Sequence, residues 1–175
     1  MRPELFDSLR AWQKAAYREY FRLLRRDFLL VATPGAGKTA FALTVAAELL
    51  ARREIMSVTV VTPTEHLKHQ WAQAAHRVGI ALDPSYRNGQ GAASADYQGV
   101  VVTYAQVAAH PALHRQRTTN QRTLVIFDEI HHVGDALFLI VLAVLDLDDP
   151  HPVQALHDRR RQRRGLGHGA PRGLA

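Results

Sequence analysis

The hydrophobic pattern of the chain is dominated by short apolar runs that each close on a turn residue or a polar cluster. Four such runs occupy residues 28–33, 57–62, 99–104 and 123–128. Runs of this length predict strands that are buried on both faces. Helical spacing fills the segments before and between them, at residues 4–25, 38–53 and 65–78. Strands that alternate with helices predict an α/β fold with a mostly parallel sheet covered on both faces, that is, three α/β/α layers.

The organisation of the chain changes towards its C-terminus. Residues 83–98 are rich in turn residues and predict a loop. The last segment is rich in arginine and glycine and lacks periodic apolar positions, which predicts a disordered tail. We therefore expect one domain over residues 1–146 and a basic tail over 147–175.

Composition and charge exclude several classes of protein. The 175 residues suffice for one core, and the absence of cysteine excludes disulfide frameworks and favours the cytoplasm. The longest apolar run, 136–145, is half of what a spanning helix needs, so no membrane partner is expected. Of the net charge of +6, residues 151–175 carry +5, from six arginines and one aspartate. The basic character thus belongs to the tail rather than to the predicted domain.

The stretch "ATPGAGKT" at 32–39 fits a phosphate-binding loop, except that Ala32 replaces the first glycine of the strict pattern. Two glycines let backbone N–H groups turn towards phosphate oxygens, and the helix that follows directs its positive end at the same anion. Lys38 would reach the β- and γ-phosphates of ATP, and the Thr39 hydroxyl would bind Mg²⁺. The predicted nucleotide-binding residues of this loop are Thr33, Pro34, Gly35, Ala36, Gly37, Lys38 and Thr39.

Two carboxylates end the last predicted strand, in "VIFDEIH" at 125–131. In a parallel sheet they lie at the carboxyl edge, beside the phosphate-binding loop. Asp128 would hold Mg²⁺, and Glu129 would orient or deprotonate the attacking water. Asp128, Glu129 and Lys38 are thus the predicted catalytic residues. For the histidines at 131 and 132, surface, core and weaker zinc-site interpretations stay open.

"ATPGAGKT" followed by "DEIH" resembles the DEAD/DEAH-box helicases of superfamily 2, in the group that includes type III restriction-enzyme helicase subunits. "AWQ" (11–13), "TPTEHLKHQW" (62–71) and "VVTYAQVA" (101–108) resemble further elements of that family. The resemblance, which covers roughly residues 3–135, implies a RecA-like P-loop NTPase lobe. It implies that Gln13 contacts adenine and that His131 couples the nucleotide site to the motor. It also implies a nucleic-acid path, with DNA favoured over RNA, along Pro63, Thr64, Gln70, Thr103 and Tyr104.

The resemblance stops before the family's next strand motif and before the second lobe, which supplies an arginine finger. We therefore expect an ATP-binding lobe that neither unwinds duplexes nor hydrolyses ATP efficiently alone, and that belongs with a second lobe encoded separately. A truncated or frame-shifted gene product is the favoured explanation, and a natural short protein with a nucleic-acid-binding tail is the other. Two further hypotheses remain, a different P-loop NTPase and a non-catalytic nucleotide- or nucleic-acid-binding fragment.

Overall fold

The structure is a computed structural model that describes residues 3–23, 27–33, 35–90, 94–128 and 138–145. Its elements, in chain order, are α1 (Pro3–Asp7), α2 (Ala11–Leu23), β1 (Asp27–Ala32), α3 (Lys38–Ala51), β2 (Ser57–Thr62), α4 (Glu65–Arg77), β3 (Leu82–Asp83), a 3₁₀ turn (Asn88–Gln90), β4 (Gly99–Thr103), α5 (Tyr104–Ala109), α6 (Pro111–Thr119), β5 (Thr123–Asp128) and β6 (Phe138–Leu145).

The six strands form one sheet in the order β1-β6-β5-β2-β4-β3. Strands β2, β3, β4 and β5 pair in parallel, whereas β6 is antiparallel to both of its neighbours, β1 and β5. Because β1 and β5 both oppose β6, they run in the same direction as each other. The predicted mixed α/β fold with a mostly parallel sheet is confirmed.

Apolar side chains pack on both faces of the sheet. Along β2 and β5 they alternate between two clusters, so that Val60 and Ile126 join one and Val61 and Val125 join the other. The first cluster is the larger and includes buried side chains of α2, α3 and α4. The second cluster includes Tyr86, and Tyr104 and Val107 of α5 pack against it. Strands buried on both faces explain the near-continuous apolar runs of the sequence.

Three predicted segments differ from the structure. The single helix expected over residues 4–25 is two helices, because a turn at residues 8–10 separates α1 from α2. The loop expected over 83–98 contains Asp83, the second of the two residues of β3, and the 3₁₀ turn. Tyr104, predicted as the last residue of a strand, is the first residue of α5, and residues 105–119, for which no element was predicted, carry the rest of α5 and α6. Thr103 caps α5 with a capping box, and Pro111 occupies the first turn of α6.

The apolar run at 136–145, for which the resemblance offered no counterpart, contributes strand β6 between β1 and β5. The predicted tail, 147–175, lies outside the described residues. Among the helices that the structure describes, none has the length and apolar character to cross a membrane.

Candidate functional site

The phosphate-binding loop connects the end of β1 to the first turn of α3. Gly35 and Gly37 both have left-handed backbone angles, with φ of 71° and 89°. A Cβ atom on Gly37 would lie 2.6 Å from Gln13 Nε2, whereas one on Gly35 would meet no atom within 4 Å. Both glycines are therefore required by their conformation, and a methyl group on Gly37 would in addition displace the end of the Gln13 side chain.

Gln13 lies against this loop. Its side chain is 3% exposed on α2, where Oε1 accepts from the Arg10 backbone N–H at 2.6 Å and Nε2 donates to the Gly37 carbonyl at 2.7 Å. Both ends of the amide are thus used to join the start of α2 to the loop. The structure brings the predicted adenine-binding residue to the nucleotide loop; its contact with adenine stays a prediction.

Lys38 is the first residue of α3, so its ammonium and the positive helix end occur together. Its Nζ donates to the carbonyls of Ala32 and Thr33, at 3.1 and 3.0 Å. A further turn closes the loop where the Ala36 N–H donates to the Thr33 carbonyl at 3.2 Å. A cation, a helix N-terminus and two left-handed glycines together make a site suited to a polyphosphate.

Asp128 lies at the same edge of the sheet as this loop, and the strand register gives the approximate distance between them. Ala32, the last residue of β1, pairs with Phe138 of β6, and Asp128 pairs with Ile140 of the same strand. Since one strand separates β1 from β5, their ends lie about 10 Å apart across the sheet. The Thr39 hydroxyl and the Asp128 carboxylate are oxygen ligands of the kind that Mg²⁺ prefers, so the residues present fit that metal.

The residues of the predicted nucleic-acid path follow two neighbouring strands at the same edge. Thr62 and Thr103, the last residues of β2 and β4, pair with each other, so Pro63 and Tyr104 leave the sheet side by side. Thr64 is exposed, and its Oγ1 caps α4 by accepting from the Leu67 N–H at 3.4 Å.

The remaining residues of that path differ in what they offer to solvent. Gln70 is exposed, with its Nε2 at 2.9 Å from His66 Nε2. Thr103 is buried, and its hydroxyl accepts from the Gln106 N–H at 3.1 Å as the cap of α5. Tyr104 is half-buried and donates its hydroxyl to the backbone carbonyl of Asp128 at 2.8 Å. Thr64 and Gln70 therefore present more surface to a ligand than Thr103 does.

Three predicted site residues, Pro34, Glu129 and His131, lie outside the described residues.

Two residues that the sequence did not single out as site residues contact this edge. One nitrogen of the Arg10 guanidinium lies 3.4 Å from the carbonyls of both Gly35 and Ala36. Trp71 donates its indole N–H to Asp128 Oδ2 at 2.6 Å. Trp71 belongs to the helicase-like stretch 62–71, but a contact between positions 57 residues apart leaves no local signal in the sequence.

The chain is similar to long proteins of mycobacteria. It is 59% identical over 128 residues to the uncharacterized protein Rv2917 of Mycobacterium tuberculosis (strain ATCC 25618 / H37Rv) and to the uncharacterized protein ML1624 of Mycobacterium leprae (strain TN). Those residues are 73% of this chain but 21% and 22% of the two relatives. The chain thus corresponds to about a fifth of the length of the curated relatives it matches.

A known family matches most of the chain. The family described as "Type III restriction enzyme, res subunit" (ResIII) matches residues 7–148, which include the phosphate-binding loop, Asp128 and strand β6. The match continues past residue 135, where the sequence resemblance was expected to end. Since it covers far more than half of the 175 residues, the chain belongs to the type III restriction enzyme res subunit family.

Proposed function

We propose that this chain is the ATP-binding lobe of a nucleic-acid-dependent ATPase of the helicase type, with Mg²⁺ as the metal. The observation that carries the proposal is the convergence of three groups of residues at one sheet edge. The phosphate-binding loop follows β1, Asp128 ends β5, and the residues of the nucleic-acid path follow β2 and β4. A motor that couples ATP hydrolysis to a nucleic acid needs these groups near one another.

The residues of the chain divide the work as follows. Backbone N–H groups of the loop and the Lys38 ammonium bind the phosphates, and Thr39 and Asp128 hold the metal, which neutralises charge on the β- and γ-phosphates when bound. Glu129 orients the attacking water and accepts its proton. Gln13 holds the loop to α2 with one hydrogen and one lone pair of its amide, and the second hydrogen and lone pair recognise the adenine. His131 couples the nucleotide site to the rest of the motor.

The nucleic acid lies along Pro63, Thr64, Gln70, Thr103 and Tyr104. The family description names a restriction enzyme subunit, which favours DNA over RNA as the partner. In the resembling helicases a second lobe supplies an arginine finger, and the loss of that group costs on the order of 10³–10⁵ in rate. We therefore expect slow ATP turnover and no strand displacement from this chain by itself.

ATP turnover by the purified 175-residue chain, measured with and without DNA, tests the proposal. We expect a slow, Mg²⁺-dependent rate that DNA increases. Glu129→Gln should retain ATP binding and lower the rate of turnover about 10²–10⁴-fold, because it keeps the shape of the side chain but removes the base. Asp128→Asn should instead raise the Mg²⁺ concentration that the reaction requires.

Turnover at the parent rate in both variants would mean that the two carboxylates form a structural turn. Mg²⁺-dependent ATP binding without any response to DNA would favour the alternative of a fragment that only binds nucleotide.

A further inference from the structure

Trp71 and Asp128 form a buried hydrogen bond between helix α4 and the end of β5. The Trp71 side chain is 2% exposed and Asp128 is 8% exposed, and the indole Nε1 lies 2.6 Å from Asp128 Oδ2. A neutral donor that meets a carboxylate at this distance forms a short, charge-assisted bond. The cost of burying either group is therefore offset by the other.

The orientation of the Asp128 carboxylate is not fixed by its own side chain. The terminal torsion of an aspartate is broad, so an unrestrained carboxylate rotates over a wide range of angles. A donor on Oδ2 fixes that rotation. Because a carboxylate offers roughly four lone-pair sites on its two oxygens, the bond to Trp71 orients the group while it uses only one of those sites.

A second hydrogen bond holds the main chain of the same residue. Tyr104, at the start of α5, donates its hydroxyl to the Asp128 carbonyl at 2.8 Å. Trp71 and Tyr104 lie in the stretches 62–71 and 101–108, which contain the residues that the proposed function assigns to the nucleic-acid path. Each of the two segments thus reaches the proposed metal ligand directly.

We propose that Trp71 is a positioning residue for the metal site. It holds the Asp128 carboxylate in the orientation that Mg²⁺·ATP requires, and it links α4 to that carboxylate. This inference rests on the proposed function. Its competitor is a tryptophan that only fills the core between α4 and the sheet, in which case the indole N–H has no influence on the metal.

Trp71→Phe separates these two roles because it keeps an aromatic ring in the core and removes the N–H donor. The chain contains one other tryptophan, Trp12. Trp12 packs on the Phe41 ring with centroids 6.4 Å apart, so Trp12→Phe makes the same chemical change away from Asp128. It serves as the matched control.

The measurement is the affinity of the full chain for ATP by titration calorimetry, with excess Mg²⁺ and with a chelator. The ratio of the two affinities reports the metal's contribution. We expect Trp71→Phe to lower that ratio by on the order of tenfold, the low end of the effect of removing a group that orients a metal ligand, and to leave the metal-free affinity unchanged. Trp12→Phe should keep the parent ratio.

A second measurement needs no change at Trp71. The indole N–H resonances of the two tryptophans are assigned in the NMR spectrum with Trp12→Phe. In the metal-free chain, Asp128→Asn should move the Trp71 resonance, and Mg²⁺ added to the ATP-bound parent chain should move it again. The Trp12 resonance should stay in place in both experiments.

The outcomes are distinguishable. Suppose that the parent chain binds ATP more tightly with Mg²⁺. If Trp71→Phe then shows the same ratio of affinities, or if Mg²⁺ does not shift the Trp71 resonance, the inference is wrong and the proposed function stands. If the parent chain binds no ATP at all, the proposed function and the inference fail together.

Discussion

Gly37 and Gln13 show how closely single residues determine the nucleotide loop. The glycine has φ of 89°, and its carbonyl accepts from Gln13 Nε2 at 2.7 Å. The same amide occupies the space that a Cβ on residue 37 would need. One glycine thus allows both the left-handed turn and the close approach of α2.

Gly37→Ala should therefore destabilise the fold for two reasons, strain at positive φ and a clash with Gln13. We expect the free energy of unfolding in urea to fall by about 2 kcal/mol or more, since the left-handed conformation alone costs about 1–2 kcal/mol. Gly35→Ala, at φ of 71° with no atom within 4 Å, should show the strain alone.

A double-mutant cycle isolates the clash. Adding Gln13→Ala to Gly37→Ala should cost less than the sum of the two single changes, because the truncated side chain makes room for the methyl group. Strict additivity would contradict the packing between Gln13 and Gly37.

At the scale of elements, β6 shows where an apolar pattern fails to define a structure. The run 136–145 is too short to be assigned to a helix or a strand from periodicity alone. Its place between β1 and β5 depends on pairings with residues far away in the chain, such as Asp27 with Ala143 and Val125 with Ala143. In contrast, β2 and β5 have the predicted bounds: β2 ends before Pro63, and charged residues, Arg122 and Glu129, flank the run that forms β5.

The role of β6 can be tested at Ala143, which is 2% exposed. Ala143→Glu would bury a charge opposite Asp27, its partner on β1. We expect a loss of about 3 kcal/mol or more in the free energy of unfolding, the scale of an uncompensated buried charge. Val31→Glu places the same group on β1 at a residue that is 46% exposed and should cost far less. Equal losses would mean that residues 138–145 are not a strand of this sheet.

His114, a residue of α6, makes the stability of the fold depend on pH. His114 is buried, and its Nε2 lies 2.9 Å from Asn88 Oδ1 in the 3₁₀ turn. Burial, followed by the nearby charge of Arg117, lowers the pKa of His114 below its ordinary value. The folded state therefore disfavours the proton that the unfolded state accepts near pH 6.5.

The stability that depends on neutral His114 is fully present above pH ~6.5 and is lost as the pH falls through the lower pKa of the folded state. We expect the urea midpoint to fall between pH 7.5 and 5.5. His114→Gln should be less stable at pH 7.5 but should show a smaller fall. An identical fall in parent and variant would assign the pH dependence to other groups.

At the scale of the whole molecule, the sequence was sufficient to predict that the candidate site residues lie at one edge of the sheet. Parallel strands place their carboxyl ends together, so the order of motifs along the chain sufficed to bring the loop at 32–39, Asp128 and the residues proposed for a nucleic-acid path to one side. The contacts between those groups were not predictable. Trp71, Tyr104 and Gln13 each form a hydrogen bond to a residue that is distant in the sequence. The sequence around each of the three gives no indication of which residue that is.

The whole chain also carries an asymmetry of charge that bears on any nucleic-acid measurement. Residues 151–175 hold +5 of the net +6. A cluster of arginines of this kind supports nucleic-acid binding that does not depend on base sequence and that weakens steeply with salt. A response to DNA that survives deletion of residues 151–175 would therefore belong to the sheet edge rather than to these arginines.

The most direct test of the central claim is ATP binding by the purified chain, measured by titration calorimetry with Mg²⁺, in the parent, in Lys38→Ala and in the chain lacking residues 151–175. The parent and the deleted chain should bind ATP with equal affinity. Lys38→Ala should lose on the order of 1.5–3 kcal/mol of binding free energy, the contribution of a charged contact to phosphate. Unchanged affinity in a folded Lys38→Ala variant would contradict the assignment of residues 32–39 as the nucleotide site.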